Sequence, residues 1–294
     1  MSVIIEVSDL SFRYPGAEAD TLRNVNLRIE RGDFVAVVGG NGSGKTTLCK
    51  SFNGLVPHYW AGDFAGAVMV DGVDTFTSSV AELSAKVGYV YQDFMNQLVR
   101  PTVRDEISFG PINFGHTDHA ERTAEVITSL GLEELTDRFT WQLSGGQAHT
   151  TALASVLALR PQILVVDEPV AELDPARAHE IYRQLRWLNE ELGLTIITIE
   201  HHAEFIAQYA NTVVLMSEGA PVWHLPVDEA MNRTRELEQH GIPAPQVVRV
   251  GRAAGLAHAP RDIPSAVRRL REAGVVARDV PRTPRERPGA RVVA

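Results

Sequence analysis

The sequence predicts an α/β fold in which helices pack against a largely parallel β-sheet. Strands that alternate with helices are typical of such sheets. The clearest helix is expected at residues 175–192, where apolar residues recur at spacings of three and four on one face. Asp174, Pro175 and Gly193 fit its N-cap, its first position and its end. The later strands are expected at the apolar, β-branched runs 87–91, 163–166, 195–199 and 212–216.

The first elements along the chain are expected to be strands. Residues 3–7 and 25–29 alternate partly between apolar and polar side chains, as half-buried strands do. Residues 34–38 are apolar throughout, which indicates a strand covered on both faces. A helix is expected at residues 45–53, ended by Gly54.

The remaining segments suggest a division of the chain. Residues 100–159 lack clear strand signals and predict a helical insertion. Short amphipathic helices are expected near residues 246–256 and 264–273. Residues 276–294 are rich in Arg, Pro and Val, which predicts a disordered tail because little apolar surface can be buried there. The predicted units are 3–225, 226–275 and 276–294.

Composition and charge exclude several function classes. The 294 residues hold 44% hydrophobic and 22% charged side chains, as in an ordinary globular protein, and the one cysteine, Cys49, excludes an intramolecular disulfide framework. Residues 1–240 hold 17 basic and 33 acidic side chains, which disfavours general nucleic-acid binding. We see no secretory signal and no apolar run near the ~20 residues that span a bilayer, so a membrane role is predicted to be peripheral.

A glycine-rich segment between the strand at 34–38 and the following helix matches the P-loop pattern G-x4-G-K-[ST]. Its backbone N–H groups can converge on phosphate oxygens, and the helix N-terminus adds partial positive charge. Lys45 is expected to reach the β- and γ-phosphates, and Thr46 to ligate Mg²⁺. The predicted nucleotide-binding set is Gly39, Gly40, Asn41, Gly42, Ser43, Gly44, Lys45, Thr46 and Thr47.

Two carboxylates, Asp167 and Glu168, end the apolar run at 163–166. A carboxylate at the C-terminal end of such a strand faces the ligand crevice of an open α/β sheet. Asp167 suits a Mg²⁺-linked role, and Glu168 suits a base that orients or deprotonates an attacking water. The alternative is a strand end that simply turns into solvent.

The segment Leu143-Ser144-Gly145-Gly146-Gln147 precedes a helical stretch, so its amides and the Ser144 hydroxyl form a second anion-binding helix N-terminus. With the two motifs above, it resembles the signature of the ATP-binding subunits of ATP-binding cassette (ABC) transporters, over roughly residues 3–225. The resemblance implies an ABC ATPase fold of the P-loop class, with a mainly parallel sheet, an antiparallel β portion and a helical insertion. It also implies two ATPs sandwiched between subunits, each against the partner's Ser144, Gly145, Gly146 and Gln147.

The resemblance implies roles for four further residues. Tyr14 matches the aromatic that stacks on adenine, with a core tyrosine near a turn as the alternative. Gln92 matches the glutamine that senses Mg²⁺ and the attacking water. Asp174 matches the aspartate that crosses the dimer interface, a role compatible with an N-cap. His201, in preference to His202, matches the switch histidine near the γ-phosphate. The implied catalytic set is Glu168, His201 and Gln92, and the implied metal set is Thr46, Gln92 and Asp167.

A narrower resemblance concerns residues 96–103 and 108–111, which look like the ATPases of energy-coupling factor transporters, importers of vitamins or Co²⁺/Ni²⁺. Residues 241–273 are similar to their C-terminal extension. One departure is that family members usually carry a basic residue soon after Ser-Gly-Gly-Gln, whereas Ala148, His149, Thr150 and Thr151 follow here.

These observations predict an ATP-hydrolysing importer subunit, peripheral on the cytoplasmic side of the cell membrane. Its predicted partners are a second ATPase subunit, identical or paralogous, and separate transmembrane subunits, with no nucleic acid. The alternatives are a soluble ABC-class mechanochemical ATPase and, less favoured, a P-loop kinase of small molecules. Apolar residues after Gln92 are predicted to dock the membrane subunit, unless they only cover the helical insertion: Phe94, Met95, Leu98 and Val99.

Overall fold

The structure is a computed structural model that describes residues 2–170 and 174–275, so the predicted tail at 276–294 lies outside the described residues. Its strands form two sheets. In chain order they are β1 (Val3–Arg13), β2 (Leu22–Glu30), β3 (Phe34–Val38), β4 (Asp63–Val70), β5 (Val73–Asp74), β6 (Val87–Val90), β7 (Ile163–Asp167), β8 (Thr195–Ile199), β9 (Thr212–Ser217) and β10 (Ala220–Pro226).

The helices lie between and beside these strands. In chain order they are α1 (Lys45–Phe52), α2 (Leu55–His58), α3 (Val80–Ser84), α4 (Val103–Asn113), α5 (His119–Ser129), α6 (Gly145–Leu157), α7 (Pro175–Leu192), α8 (Ala203–Tyr209), α9 (Val227–Ala230), α10 (Thr234–Gln239), α11 (Gln246–Ala253) and α12 (Ile263–Glu272). In the described part of the chain, no helix is both long and apolar enough to cross a bilayer.

The larger sheet has the order β10-β9-β3-β8-β7-β6, and all its neighbouring pairs except β10–β9 are parallel. The predicted parallel α/β core is therefore confirmed. β3, β7 and β8 are buried along their whole length, as expected of strands covered on both faces. Because parallel strands end at one edge of a sheet, the loops after β3, β6, β7 and β8 meet there.

The smaller sheet is antiparallel with the order β2-β1-β4-β5, which confirms the expected antiparallel portion. The strands β4, β5 and β10 were not predicted from the sequence. β4 contains Ala65, Gly66 and Ala67, which have weak strand propensity, and its pairing with β1 overrides that preference. β10 contains Pro221 and ends at Pro226, and proline is tolerated there because β10 is an edge strand.

The longer helices lie where the sequence predicted them, whereas the short helices α2, α3, α8, α9 and α10 had no specific prediction. α4, α5 and α6 lie within residues 100–159, and α11 and α12 begin within one residue of the amphipathic helices expected near the C-terminal end. Residues of the C-terminal part, such as Ile242 and Val248, pack in the same apolar cluster as Ala36 and Val38 of β3. The C-terminal helices are thus attached to the larger sheet through a shared core.

Candidate functional site

The P-loop segment between β3 and α1 requires glycine for steric reasons. Gly39 has φ +145° and Gly44 has φ +98°, a region that side-chain-bearing residues rarely adopt. A Cβ on Gly39 would overlap the backbone oxygen of Met216 in β9, and one on Gly44 would lie 2.9 Å from the Thr21 oxygen. The close approach of these backbones shapes the loop that leads into α1.

Lys45 is the first residue of α1 and is buried. Its Nζ donates hydrogen bonds to the backbone oxygens of Gly39 and Gly40, both at 2.9 Å. Burial lowers the pKa of Lys45, while the nearby carboxylates of Glu168 and Asp167 act in the opposite direction. A cationic group is thus held inside the loop, next to both carboxylates.

The hydroxyl oxygen of Ser43 in the P-loop is without a hydrogen-bond partner among the described residues. Ser43 is buried. A buried hydroxyl without a partner is costly, and an anion bound in the loop would satisfy it. Asn41 and Gly42, by contrast, are exposed at the tip of the loop.

Asp167 ends β7 and is buried. Its Oδ2 accepts a hydrogen bond of 3.1 Å from the Tyr89 hydroxyl. Burial raises the pKa of Asp167, and the hydroxyls of Tyr89 and Thr46 oppose that rise by donating to the carboxylate.

The predicted metal set fits Mg²⁺ by its chemistry. Thr46, Asp167 and Gln92 supply hydroxyl, carboxylate and amide oxygens, the donor type that Mg²⁺ prefers. In residues 2–170 and 174–275, no cluster of three or more His, Cys, Asp and Glu residues could hold a metal alone.

The three predicted catalytic residues lie together. Glu168 Oε2 accepts a hydrogen bond of 2.9 Å from Gln92 Nε2, and Glu168 Oε1 lies 3.3 Å from His201 Nε2. The backbone of Glu168 has φ +48°, an uncommon conformation for a residue with a side chain, and its N–H donates to the Ile199 oxygen at 3.0 Å. The ends of β6, β7 and β8 therefore converge on one carboxylate.

Of the two adjacent histidines, it is His201 that contacts Glu168; the His202 ring contacts Glu200 instead. Glu200 is buried, and its Oε1 accepts bonds of 2.8 Å from the backbone N–H groups of both histidines. Its Oε2 accepts from the Tyr182 hydroxyl at 2.6 Å. Glu200 was not predicted from the sequence, although a carboxylate directly after the β-branched run at 195–199 was a usable signal.

Tyr14 was predicted either to stack on adenine or to be a core tyrosine near a turn. It is half-buried, and its ring meets Phe12 edge-on with centroids 4.8 Å apart. Its hydroxyl lies 3.2 Å from Thr47 Oγ1 on α1. The ring thus packs at the edge of the core beside the P-loop helix.

The residues 144–147 begin α6. Ser144 is the N-cap: its Oγ accepts from the Gln147 N–H at 3.4 Å, and Gln147 Oε1 accepts from the Ser144 N–H at 3.0 Å. This reciprocal capping box leaves Gly145 and Gly146 in the first turn. The N-terminus of a 13-residue helix is thereby fixed in a form suited to binding an anion.

Asp174 is the N-cap of α7, and its Oδ1 accepts from the N–H groups of Ala176 and Arg177 at 3.1 and 3.2 Å. Arg177 in turn donates from Nη1 to Ser144 Oγ at 3.3 Å. The residues 144–147 and Asp174 therefore form one group. In the part of the chain that the structure describes, no hydrogen bond or ion pair joins this group to the P-loop group.

Comparisons with known proteins show the family of the chain. Residues 22–171 match the family model described as ABC transporter. A putative ABC transporter ATP-binding protein of Pyrococcus abyssi is 40% identical over 251 residues, which are 84% of this chain and 89% of the relative. The energy-coupling factor transporter ATP-binding protein EcfA of Methanoculleus marisnigri is 37% identical over 259 residues, 86% of this chain and 91% of the relative.

A solved structure gives the same result for the fold. The cbiO1 protein of Clostridium perfringens, part of the ABC transporter complex cbiONQ, superposes with a TM-score of 0.72 and 30% identity. The superposition covers 87% of this chain and 100% of that one.

Proposed function

This chain belongs to the ABC transporter family as a subunit that binds and hydrolyses ATP, and from that premise we propose that it drives an importer of the energy-coupling factor type. ATPases of this family form dimers and work with transmembrane subunits. The observation that carries the mechanism is the position of Glu168, held between Gln92 and His201 beside the P-loop.

In the proposed mechanism, the P-loop amides and the Lys45 ammonium bind the phosphates of ATP. Glu168 orients the attacking water and accepts its proton on its carboxylate, which Gln92 contacts at Oε2 and His201 contacts at Oε1. Thr46, Asp167 and Gln92 would hold Mg²⁺, which neutralises phosphate charge when bound. Tyr14, beside α1, supplies the aromatic face for adenine.

The proposed dimer is supported by the presence of two anion-binding groups in the chain, which no hydrogen bond or ion pair joins among the described residues. The P-loop group has the base and the cation, whereas residues 144–147 and Asp174 form the second group. A nucleotide bound on one P-loop would be completed by the second group of a partner subunit. ATP binding then closes the dimer, and hydrolysis reopens it.

Docking of a membrane subunit is proposed at the segment after Gln92. Phe94 and Leu98 are partly buried and pack against the apolar cluster of the helical region, so for these two the core interpretation applies. Met95 and Val99 are 44% and 63% exposed, which leaves them available to a partner. Val99 also borders an apolar groove that is lined further by Tyr91, Phe109, Val156 and Leu159.

The support for the energy-coupling factor type is the likeness to EcfA and to cbiO1, together with the motifs at residues 96–103 and 108–111. On this proposal the cargo is a vitamin or Co²⁺/Ni²⁺, and a membrane component selects it. The chain would lie peripherally on the cytoplasmic side of the cell membrane.

A pair of variants tests the proposed function. Glu168→Gln should bind ATP and accumulate as dimers in size-exclusion chromatography, whereas Lys45→Ala should not bind ATP, because Lys45 acts on ground-state phosphate and Glu168 on the water. The wild-type protein, incubated with small-molecule acceptors, should release free phosphate. Normal turnover by Glu168→Gln, or a phosphorylated acceptor, would refute the proposal.

A further inference from the structure

The side chain of Arg177 links the two loops of the second anion-binding group. Its Nη1 donates to Ser144 Oγ at 3.3 Å, and its Nε lies 3.4 Å from Asp174 Oδ2. The side chain is half-exposed, so the guanidinium is at the surface that carries the residues 144–147. Arg177 comes from α7, and no sequence motif drew attention to it.

Gly146 makes the approach of Arg177 possible. A Cβ on Gly146 would lie 2.6 Å from Arg177 Nη1 and 3.5 Å from its Cδ. The guanidinium therefore passes directly over the first turn of α6. Arg177 places a positive charge at a helix N-terminus that lacks any basic residue in the four positions after Gln147.

The hydrogen bonds of Ser144 then determine the direction of its proton. A serine hydroxyl has two acceptor lone pairs and one donor hydrogen. The Gln147 N–H and Arg177 Nη1 both donate to Ser144 Oγ, so both lone pairs are used. The hydroxyl hydrogen is the remaining group, and among the described residues Ser144 Oγ donates no hydrogen bond, which leaves this hydrogen for a ligand.

We propose that Arg177 is a positioning residue that sets Ser144 as a hydrogen-bond donor to the terminal phosphate of ATP bound on the partner subunit. This inference rests on the proposed dimer and adds to it a residue outside the recognised motifs. Arg177 acts through Ser144 and also makes the surface electrostatically complementary to the phosphate.

The test uses the full-length Glu168→Gln protein with ATP and Mg²⁺, with the dimer fraction measured by light scattering as ATP is increased. Arg177→Gln keeps a polar side chain, although a shorter one, and loses the positive charge and the planar set of guanidinium donors. The ATP concentration for half-maximal dimer should rise about 10-fold or more, as expected for the loss of one charge-assisted hydrogen bond. The affinity of the monomeric protein for ATP, which depends on the P-loop, should change less than about 2-fold.

Two further variants separate positioning from a general structural role. Arg183→Gln changes an exposed arginine of the same helix and should behave like the parent. In a Ser144→Ala background, Arg177→Gln should raise the ATP concentration for half-maximal dimer by less than about 3-fold. The effect is small because Arg177 acts through Ser144. Circular dichroism melts confirm that each variant is folded.

The outcomes are distinguishable. Unchanged dimerisation by Arg177→Gln, or full additivity with Ser144→Ala, overturns the role of Arg177 and leaves the proposed function intact. Failure of the Glu168→Gln parent itself to dimerise with bound ATP overturns both the proposed dimer and this inference.

Discussion

Gln92 Nε2 lies 2.9 Å from Glu168 Oε2, so the residue that leads into the proposed docking segment also holds the proposed catalytic base. Glu168 already has an unfavourable backbone conformation, with φ +48°. Its side chain depends on contacts from two neighbouring strand ends, through Gln92 and His201. The loss of either contact should therefore change the orientation of the water that Glu168 activates.

The first prediction concerns that contact. Gln92→Ala should lower kcat for ATP hydrolysis by roughly 10- to 100-fold, because a misplaced base loses orientation of the water. KM for ATP should change less than about 3-fold, since the P-loop is intact. Steady-state phosphate release measures both, and Gln208→Ala, an exposed glutamine of α8, is the matched control. A kcat equal to wild type would show that Gln92 does not position Glu168.

The second prediction concerns the sharing of sites between subunits. Lys45→Ala removes the phosphate-binding cation of one site, and Gly145→Asp puts a carboxylate in the anion-binding turn of the other group. Each variant alone should be inactive. Mixed dimers should regain ATPase activity, because one of their two sites keeps both intact groups. Persistent inactivity in dimers verified as mixed would argue for sites contained within one chain.

The third prediction concerns docking. Met95→Asp combined with Val99→Asp should keep the fold and the basal ATPase activity, since both side chains are largely exposed. Co-purification with the membrane subunit should be lost, because charges would be buried in an apolar interface. Ile263→Asp is the control, as Ile263 is 70% exposed on α12 and lies outside the segment after Gln92. Normal co-purification by the double variant would exclude this surface.

The fourth prediction concerns pH. His149 of α6 is buried against Phe94, with ring centroids 5.2 Å apart, and burial lowers the pKa of His149 to about 4. Neither ring nitrogen has a hydrogen-bond partner among the described residues. An unfolded histidine titrates near 6.5, so from there down to about 4 the unfolded state binds a proton that the folded state does not.

The free energy of unfolding should therefore fall as pH decreases through this window, by about 3 kcal/mol in total from this residue. Urea unfolding at pH 7 and pH 5 measures the change. In His149→Leu, the free energy of unfolding should fall less between pH 7 and pH 5, because the leucine side chain binds no proton. An identical pH dependence in the wild type and in His149→Leu would contradict the assignment.

The candidate site was predicted from groups that each follow a strand or precede a helix with a recognisable pattern, and the structure brings Gln92, Glu168 and His201 together. The P-loop follows the apolar run at 34–38, Asp167 and Glu168 follow the run at 163–166, and His201 lies two residues after the run at 195–199. Glu200 directly follows the run at 195–199, but the contacts that Glu200 and Arg177 make in the network were not predictable from the sequence. Their roles depend on contacts with Tyr182 and Ser144, which are 18 and 33 residues distant and are set by packing.

The apolar residues after Gln92 show a second limit of sequence reasoning. Phe94, Met95, Leu98 and Val99 are similar in character, and the sequence alone could not separate core residues from surface residues among them. The short 3₁₀ turn at Phe94–Gln97 rotates successive side chains, so that Phe94 faces the helical region while Met95 is exposed. Pairing also overrode local propensity in β4, which the sequence analysis missed.

The contact between Gly39 and Met216 has a consequence for how such chains evolve. The first glycine of the P-loop is required by the neighbouring strand β9, whose carbonyl leaves no space for a Cβ. That requirement holds whether or not a nucleotide is ever bound. A descendant that lost ATP binding should therefore retain Gly39 for as long as it retained this sheet order. Substitutions would instead accumulate at positions such as Lys45 and Glu168.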